Sequence, residues 1–300
     1  MITNFPFKNL VFKGGGVKGI AYVGALKALE IAGIMPQIKG YAGTSAGAIT
    51  ASLASLKISS NSLNEFLRQT NYENFKDGGG IIKETEDLLN HFGLYQGNYF
   101  LNDWYRVFLE NQKIDPNITF AKVKSTYGNV LKIFSTNLNT QSIQTFSPDV
   151  TPDVMVADAV RASMSIPMFF QAWKFENGNP SNDIFVDGGV MYNYPIDTFD
   201  DEFQEDETLG LFLTNKAINK PNSLNYGIKN IETYVKSLFE SLMNSQDNIV
   251  QNSDFEKART IQINDLGISA TDFSITAEQA QALYNSGLTN TQTFLNNYSG

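Results

Sequence analysis

Gly43-Thr44-Ser45-Ala46-Gly47 fits the G-x-S-x-G pattern, in which a sharp strand-to-helix turn lifts a serine hydroxyl clear of the backbone and small neighbours avoid a clash. A serine needs a base to take its proton, and the usual base is a histidine held by a carboxylate. His91 is the single histidine of the chain, and there is no cysteine. It follows Leu88-Leu89 and precedes Phe92-Gly93, a context that reads as the last turn of a helix, where an imidazole suits the terminal carbonyls. The remaining candidate is a carboxylate bonded directly to the serine. Two Asp-Gly-Gly segments compete for that place. Asp187-Gly188-Gly189 follows Ile184-Phe185-Val186, so its acid falls at the carboxyl end of a buried strand, where α/β folds put ligands. Asp77-Gly78-Gly79 follows Asn74-Phe75-Lys76 and leads into Gly80, a polar stretch that reads as a surface turn. Ser45 and Asp187 are the catalytic pair these residues favour.

A second glycine cluster, Gly14-Gly15-Gly16-Val17-Lys18-Gly19, has two uses. As G-x-G-x-x-G between a strand and a helix it fits a dinucleotide site, but such a site wants an acid about twenty residues on to hold the ribose. None stands between Glu30 and Glu65. A P-loop is excluded because Ile20 follows Gly19 where Lys and then Ser or Thr are required. The other use is to aim unblocked backbone N–H groups at a developing oxyanion, with a helix dipole behind them. Lys18 falls in the first helical turn, a mildly unfavourable place for a cation, and reads either as a contact to an anionic head group or as a solvated side chain.

These side chains need elements to hold them. Leu10-Val11-Phe12 is a short apolar run before the glycine loop, and Ile20 to Ala32 reads as a helix. Ile38 to Ala42 then leads into the serine motif, with an Ala/Leu-rich helix from Ala48 to Leu56. Asn98 is positioned to cap an amphipathic helix carrying Phe100, Leu101, Trp104, Tyr105, Phe108 and Leu109. Leu131 to Thr136 and Ser142 to Phe146 read as a strand pair, and Ile184 to Val186 and Leu209 to Thr214 as strands. Ile228, Ile231, Val235, Leu238, Phe239 and Leu242 make an apolar stripe to Met243. Strands interleaved with helices predict an α/β fold with helices on both sheet faces.

The order of these motifs resembles the patatin-like phospholipases: the glycine loop, then Gly43 to Gly47, then Asp187-Gly188-Gly189. Arg161-Ala162-Ser163-Met164-Ser165-Ile166-Pro167, Asn193-Tyr194-Pro195 and Thr271-Asp272-Phe273-Ser274 followed by a helix to Gly287 extend the likeness over almost the whole chain. The resemblance implies a three-layer α/β/α sandwich around a mixed, mostly parallel sheet. It implies a Ser45–Asp187 dyad, an oxyanion hole from Gly14, Gly15, Gly16 and Ala46, and no metal or other cofactor. Gly19, Gly43, Gly47, Gly188 and Gly189 support that geometry. Lys18 stands where many members have Arg, which keeps the charge but loses a bidentate grip on phosphate. The implied activity is release of fatty acids from phospholipids or lysophospholipids through an acyl-serine. The rival is a nucleotide-binding or catalytically silent module built on the glycine loop.

Composition sets the remaining bounds. A hydrophobic share of 42% supports a sizeable core, and no linker-like tract divides the chain, so one domain over residues 1–300 is expected. The formal net charge of −9 argues against nucleic acid, which requires clustered cations. Met1 to Leu10 lack the apolar stretch of a secretory signal, and the region from Ile20 to Met35 is broken by Lys27 and Glu30, so no span of about twenty apolar residues forms. The expectation is a cytoplasmic protein, or one exported without a cleaved signal, that acts at a membrane surface by peripheral contact. Tyr95 to Phe108 and Met168-Phe169-Phe170 are candidates for an apolar mouth.

Overall fold

The computed structural model describes residues 5–78, 90–215, 228–247 and 253–298. Along the chain, β1 (Asn9–Phe12), α1 (Ile20–Ile31), β2 (Gly40–Thr44) and α2 (Ala46–Ser55) repeat the strand, turn, helix pattern of the sequence. Next come α3 (Ser60–Gln69), β3 (Gly93–Tyr95) and a π-helical segment, Tyr99–Arg106, that runs into the short helix Val107–Asn111. β4 (Val130–Asn137) and β5 (Ser142–Phe146) form the expected hairpin, and α4 (Val156–Ser163) leads to β6 (Met168–Phe170) and β7 (Phe185–Asp187). β8 (Thr208–Thr214), α5 (Ile231–Ser245), β9 (Thr260–Asn264) and α6 (Ala277–Asn297) follow. The last helix runs well past Gly287, the end expected from sequence, because Leu283, Thr291 and Leu295 keep one face buried along its length.

Seven strands make one sheet in the order β5-β4-β2-β1-β8-β9, with β7 also on β4, and β3 pairs in parallel with β6 in a separate two-stranded sheet. β2, β1, β8 and β9 pair in parallel with their neighbours, and β2 with β4, whereas β5 and β7 run antiparallel to β4. This is the mixed, mostly parallel sheet of the expected α/β fold. Side chains alternate between faces as a strand requires. Leu10, Phe12, Tyr41, Leu209, Leu211 and Leu213 join a large apolar cluster with residues of α1, α2 and α6. Val11, Ala42, Phe134 and Phe212 point the other way, onto Tyr194, Ile196 and Phe199. The central strands are buried on both faces, which explains why they read as apolar runs rather than alternating ones.

Two expectations about local structure are corrected. Asn98 has helical backbone angles and makes no cap bond. The cap is Asp77, whose carboxylate accepts from the Gly97 N–H at 2.6 Å and the Tyr99 N–H at 2.8 Å. Asp77 is therefore a half-buried structural residue, not a surface turn, while Gly79 and Gly80 lie outside the described residues. The stripe from Ile228 to Met243 also divides. Val235, Phe239 and Met243 are buried, but Ile231, Tyr234, Leu238 and Leu242 are 38–48% exposed.

Candidate active site

Ser45 sits where β2 hands over to α2. Its φ of +54° is in the region L-residues avoid, at a cost of order 1–3 kcal/mol, so surrounding contacts must enforce the turn. Gly47 permits it: a Cβ there would lie 2.1 Å from the Phe12 carbonyl oxygen of β1. Gly43 is packed likewise against the Gly47 carbonyl, and Gly19 against Ala46. Ser163, at the end of α4, completes the restraint. Its Oγ accepts from the Ser45 N–H at 2.9 Å and donates to the Phe134 carbonyl at 2.5 Å.

Asp187 reaches the serine because β4 acts as a ruler. β2 ends with Thr44 opposite Phe134, and β7 takes over the same edge of β4 with Asp187 opposite Ser135, the next residue. β5 occupies the opposite edge of β4 over this stretch. The last residue of β7 is thereby set beside the first residue after β2. The Ser45 hydroxyl donates to Asp187 Oδ2 at 2.7 Å, and Oδ1 accepts from the Gly189 N–H at 2.7 Å. The backbone is also fixed, since the Asp187 N–H donates to the Ser165 carbonyl and Thr136 Oγ1 donates to the Asp187 carbonyl. Gly188 packs against the Phe134 carbonyl. Asp187 has no solvent exposure. Burial pushes its carboxyl up to about 7, against the downward pull of the Ser45 and Gly189 hydrogen bonds. His91 is exposed in the helical residues Asn90 and His91, and the serine proton points to Asp187.

The glycine loop turns at Gly16, whose φ of +57° and 1.9 Å approach of a would-be Cβ to the Ala270 carbonyl both require glycine. That carbonyl also accepts from the Val17 N–H at 3.0 Å. Gly14 corrects the expected donor set: its N–H is already given to the Asn193 carbonyl at 3.0 Å. Among the described residues, the N–H groups of Gly15, Gly16 and Ala46 meet no protein acceptor. Lys18 is partly buried, and its ammonium has a protein partner. It belongs to a short 3-10 helix, Gly16–Gly19, and pairs with Asp265 at 3.0 Å.

Gly16, Ser45 and Ala46 open onto a cavity walled by Ile20, Val23, Ile49, Leu53, Leu63, Leu67, Trp104, Phe170 and Phe273. Its lining is overwhelmingly apolar. The two segments read as a mouth supply part of this wall through the buried side chains of Phe100, Trp104 and Phe170, whereas Tyr95 and Phe169 pack elsewhere in the core. The sequence reading missed Ser163 as a brace, although it lies in the quoted Arg161 to Pro167 block. Arg161 of that block is fully buried, and burial lowers its guanidinium to about 10. It donates to the carbonyls of Gln96 and Gln171, fastening α4 to the segments around β3 and β6.

A family model for patatin-like phospholipases matches residues 10–200, which include both Ser45 and Asp187. An uncharacterised protein of Acanthamoeba polyphaga mimivirus is 30% identical over 96% of this chain and 93% of its own length. A protein of invertebrate iridescent virus 6 named "Probable lipid hydrolase" is 27% identical over 64% of this chain and 62% of its own length. Among solved structures, VipD from Legionella pneumophila superposes with a TM-score of 0.69 at 18% identity, covering 98% of this chain and 67% of VipD. At that identity the superposition speaks for the fold alone. The matched segment contains the braced serine, the buried aspartate and the glycine loop in the family's order, and the chain belongs to the patatin-like phospholipase family.

Proposed function

We propose that this protein is a lipid acyl hydrolase in which Asp187 takes the Ser45 proton as Oγ attacks an ester carbonyl. The Gly15, Gly16 and Ala46 N–H groups receive the oxyanion, helped by the positive end of α2. Collapse of the tetrahedral species breaks the ester bond, the leaving alkoxide takes the proton from Asp187, and an acyl-serine remains. Asp187 next deprotonates a water that attacks the acyl carbonyl, and the fatty acid departs as Ser45 recovers its proton. The apolar cavity beside Ser45 holds the acyl chain. The observation that carries this reading is the 2.7 Å hydrogen bond from Ser45, which lines that cavity, to a fully buried carboxylate. A base held near 7 is about half ionised and still basic at neutral pH, the condition general-base catalysis favours.

Peripheral lipid contact fits the exposed face of α5. Its last turn docks beside the dyad, where the Gln246 side chain donates to the Gly189 carbonyl and accepts from the Asn193 N–H. Ile231, Tyr234, Leu238 and Leu242 present exposed apolar surface along the same helix. No described helix is long and apolar enough to cross a bilayer.

The test is mass-spectrometric analysis of products from a defined phospholipid. Wild-type protein is expected to release fatty acid, Ser45→Ala none, and His91→Ala close to the wild-type amount. Stabilisation by nucleotide with no release of fatty acid would support the binding-module reading instead.

A further inference from the structure

A second cleft meets the glycine loop at Gly14 and Gly15, where the apolar cavity meets it at Gly16, and the two share no lining residue. The second cleft is polar. Lys13 and Lys18 line it on the loop side, with Asp247, Asp265 and Glu240 around them. Lys13 is held by Asp247 at 2.5 Å and Lys18 by Asp265 at 3.0 Å, so neither lysine offers uncompensated charge. Glu240 accepts from the Ser269 hydroxyl, and among the described residues it pairs with no cation. Among the described residues, two lysines against three carboxylates leave the lining one negative charge in excess.

Asn193 is the anomaly in its wall. Its backbone is pinned on both sides, the N–H by Gln246 and the carbonyl by Gly14. Its side chain has no solvent exposure, yet neither Oδ1 nor Nδ2 has a partner. Buried amides are almost always satisfied, and leaving one unpaired costs about 1–3 kcal/mol. A Cβ built on Gly14 would lie 2.3 Å from Asn193 Oδ1 and 3.3 Å from Ser45 Cβ, so this amide stands close to the nucleophile.

We propose that the cleft receives a phospholipid head group carrying both a phosphate and an ammonium, with the Asn193 amide bonding the polar glycerophosphate portion and Glu240 facing the ammonium. This rests on the acyl-hydrolase reading and names its substrate class. A head group with phosphate alone meets an excess of carboxylates and finds both lysines already paired. The formal charge of −9 on the whole chain disfavours an anionic lipid surface in the same sense.

The experiment compares kcat/KM for short-chain phosphatidylcholine and phosphatidylglycerol with identical acyl chains, below their micelle concentrations so that surface charge plays no part. Wild-type protein is expected to prefer the zwitterion by about tenfold or more, and Glu240→Lys to reduce that ratio by about tenfold. Glu240→Gln should give an intermediate ratio. Asn193→Ala should lower the phosphatidylcholine rate about tenfold relative to a diglyceride of the same chains. Equal rates on the two phospholipids, or loss in Asn193→Ala that is equal on all substrates, would overturn the proposal. An ordered water bound to Asn193 in place of lipid predicts no change in either ratio. If the wild type cleaved no ester at all, the hydrolase reading would fail, and calorimetric titration of Ser45→Ala would still decide the cleft. Binding of glycerophosphocholine in preference to glycerophosphoglycerol would uphold it, and binding of neither would overturn it.

Discussion

Asp187 is placed where a carboxylate is least comfortable as an ion, and that discomfort suits it to the base role proposed above. Its carboxyl lies at about 7 in the folded protein and near 3.9 in an unfolded chain. Between those values the folded state holds the proton more tightly, so the residue contributes stability below about pH 4 that is lost as pH rises through about 7. Asp187→Asn removes this dependence. Its melting temperature is expected to match wild type near pH 4 and to exceed it by several degrees near pH 8, as measured by calorimetry across pH. Ser163 affects the nucleophile through its backbone. Ser163→Ala leaves the buried Ser45 N–H without its 2.9 Å acceptor, a loss of roughly 1–3 kcal/mol. Steady-state kinetics should show kcat reduced about tenfold or more with KM little changed, because the acyl cavity is untouched.

At the scale of elements, the sequence made strands, glycine turns and buried helices visible through local signals. Apolar runs ended in glycine, and the strand pair Leu131 to Thr136 with Ser142 to Phe146 matched β4 and β5. Ser45 and Asp187 stood out for the same reason, since one follows a strand directly and the other ends one. What was hidden depended on distant partners. Asp77 caps the π-helical segment across twenty residues, so Asn98, adjacent in sequence, looked the better cap. Gly14 resembles its neighbours in the loop, and only the Asn193 carbonyl distinguishes it. Lys18 finds Asp265 across 247 residues. The stripe on α5 was legible as apolar, but periodicity does not say which part packs inward. Its outward part makes a prediction: Leu238→Glu with Leu242→Glu should lower hydrolysis of phospholipid vesicles several-fold more than hydrolysis of a soluble short-chain ester, compared by fatty-acid release from each.

Across the whole molecule, one sheet supplies both halves of the chemistry. β4 measures Asp187 against Ser45, β1 backs the glycine loop, and α1, α2 and α3 wall an apolar cavity at the serine, with a polar cleft beside it. The proposed dyad uses no histidine. The most direct test is the rate at which a fluorophosphonate labels Ser45, followed by mass spectrometry of the labelled peptide as a function of pH. The expected result is labelling that rises with pH through about 7 as Asp187 ionises, is unchanged in His91→Ala, and falls at least about a hundredfold in Asp187→Asn. Labelling lost in His91→Ala, or retained at the wild-type rate in Asp187→Asn, would contradict the Ser45–Asp187 dyad.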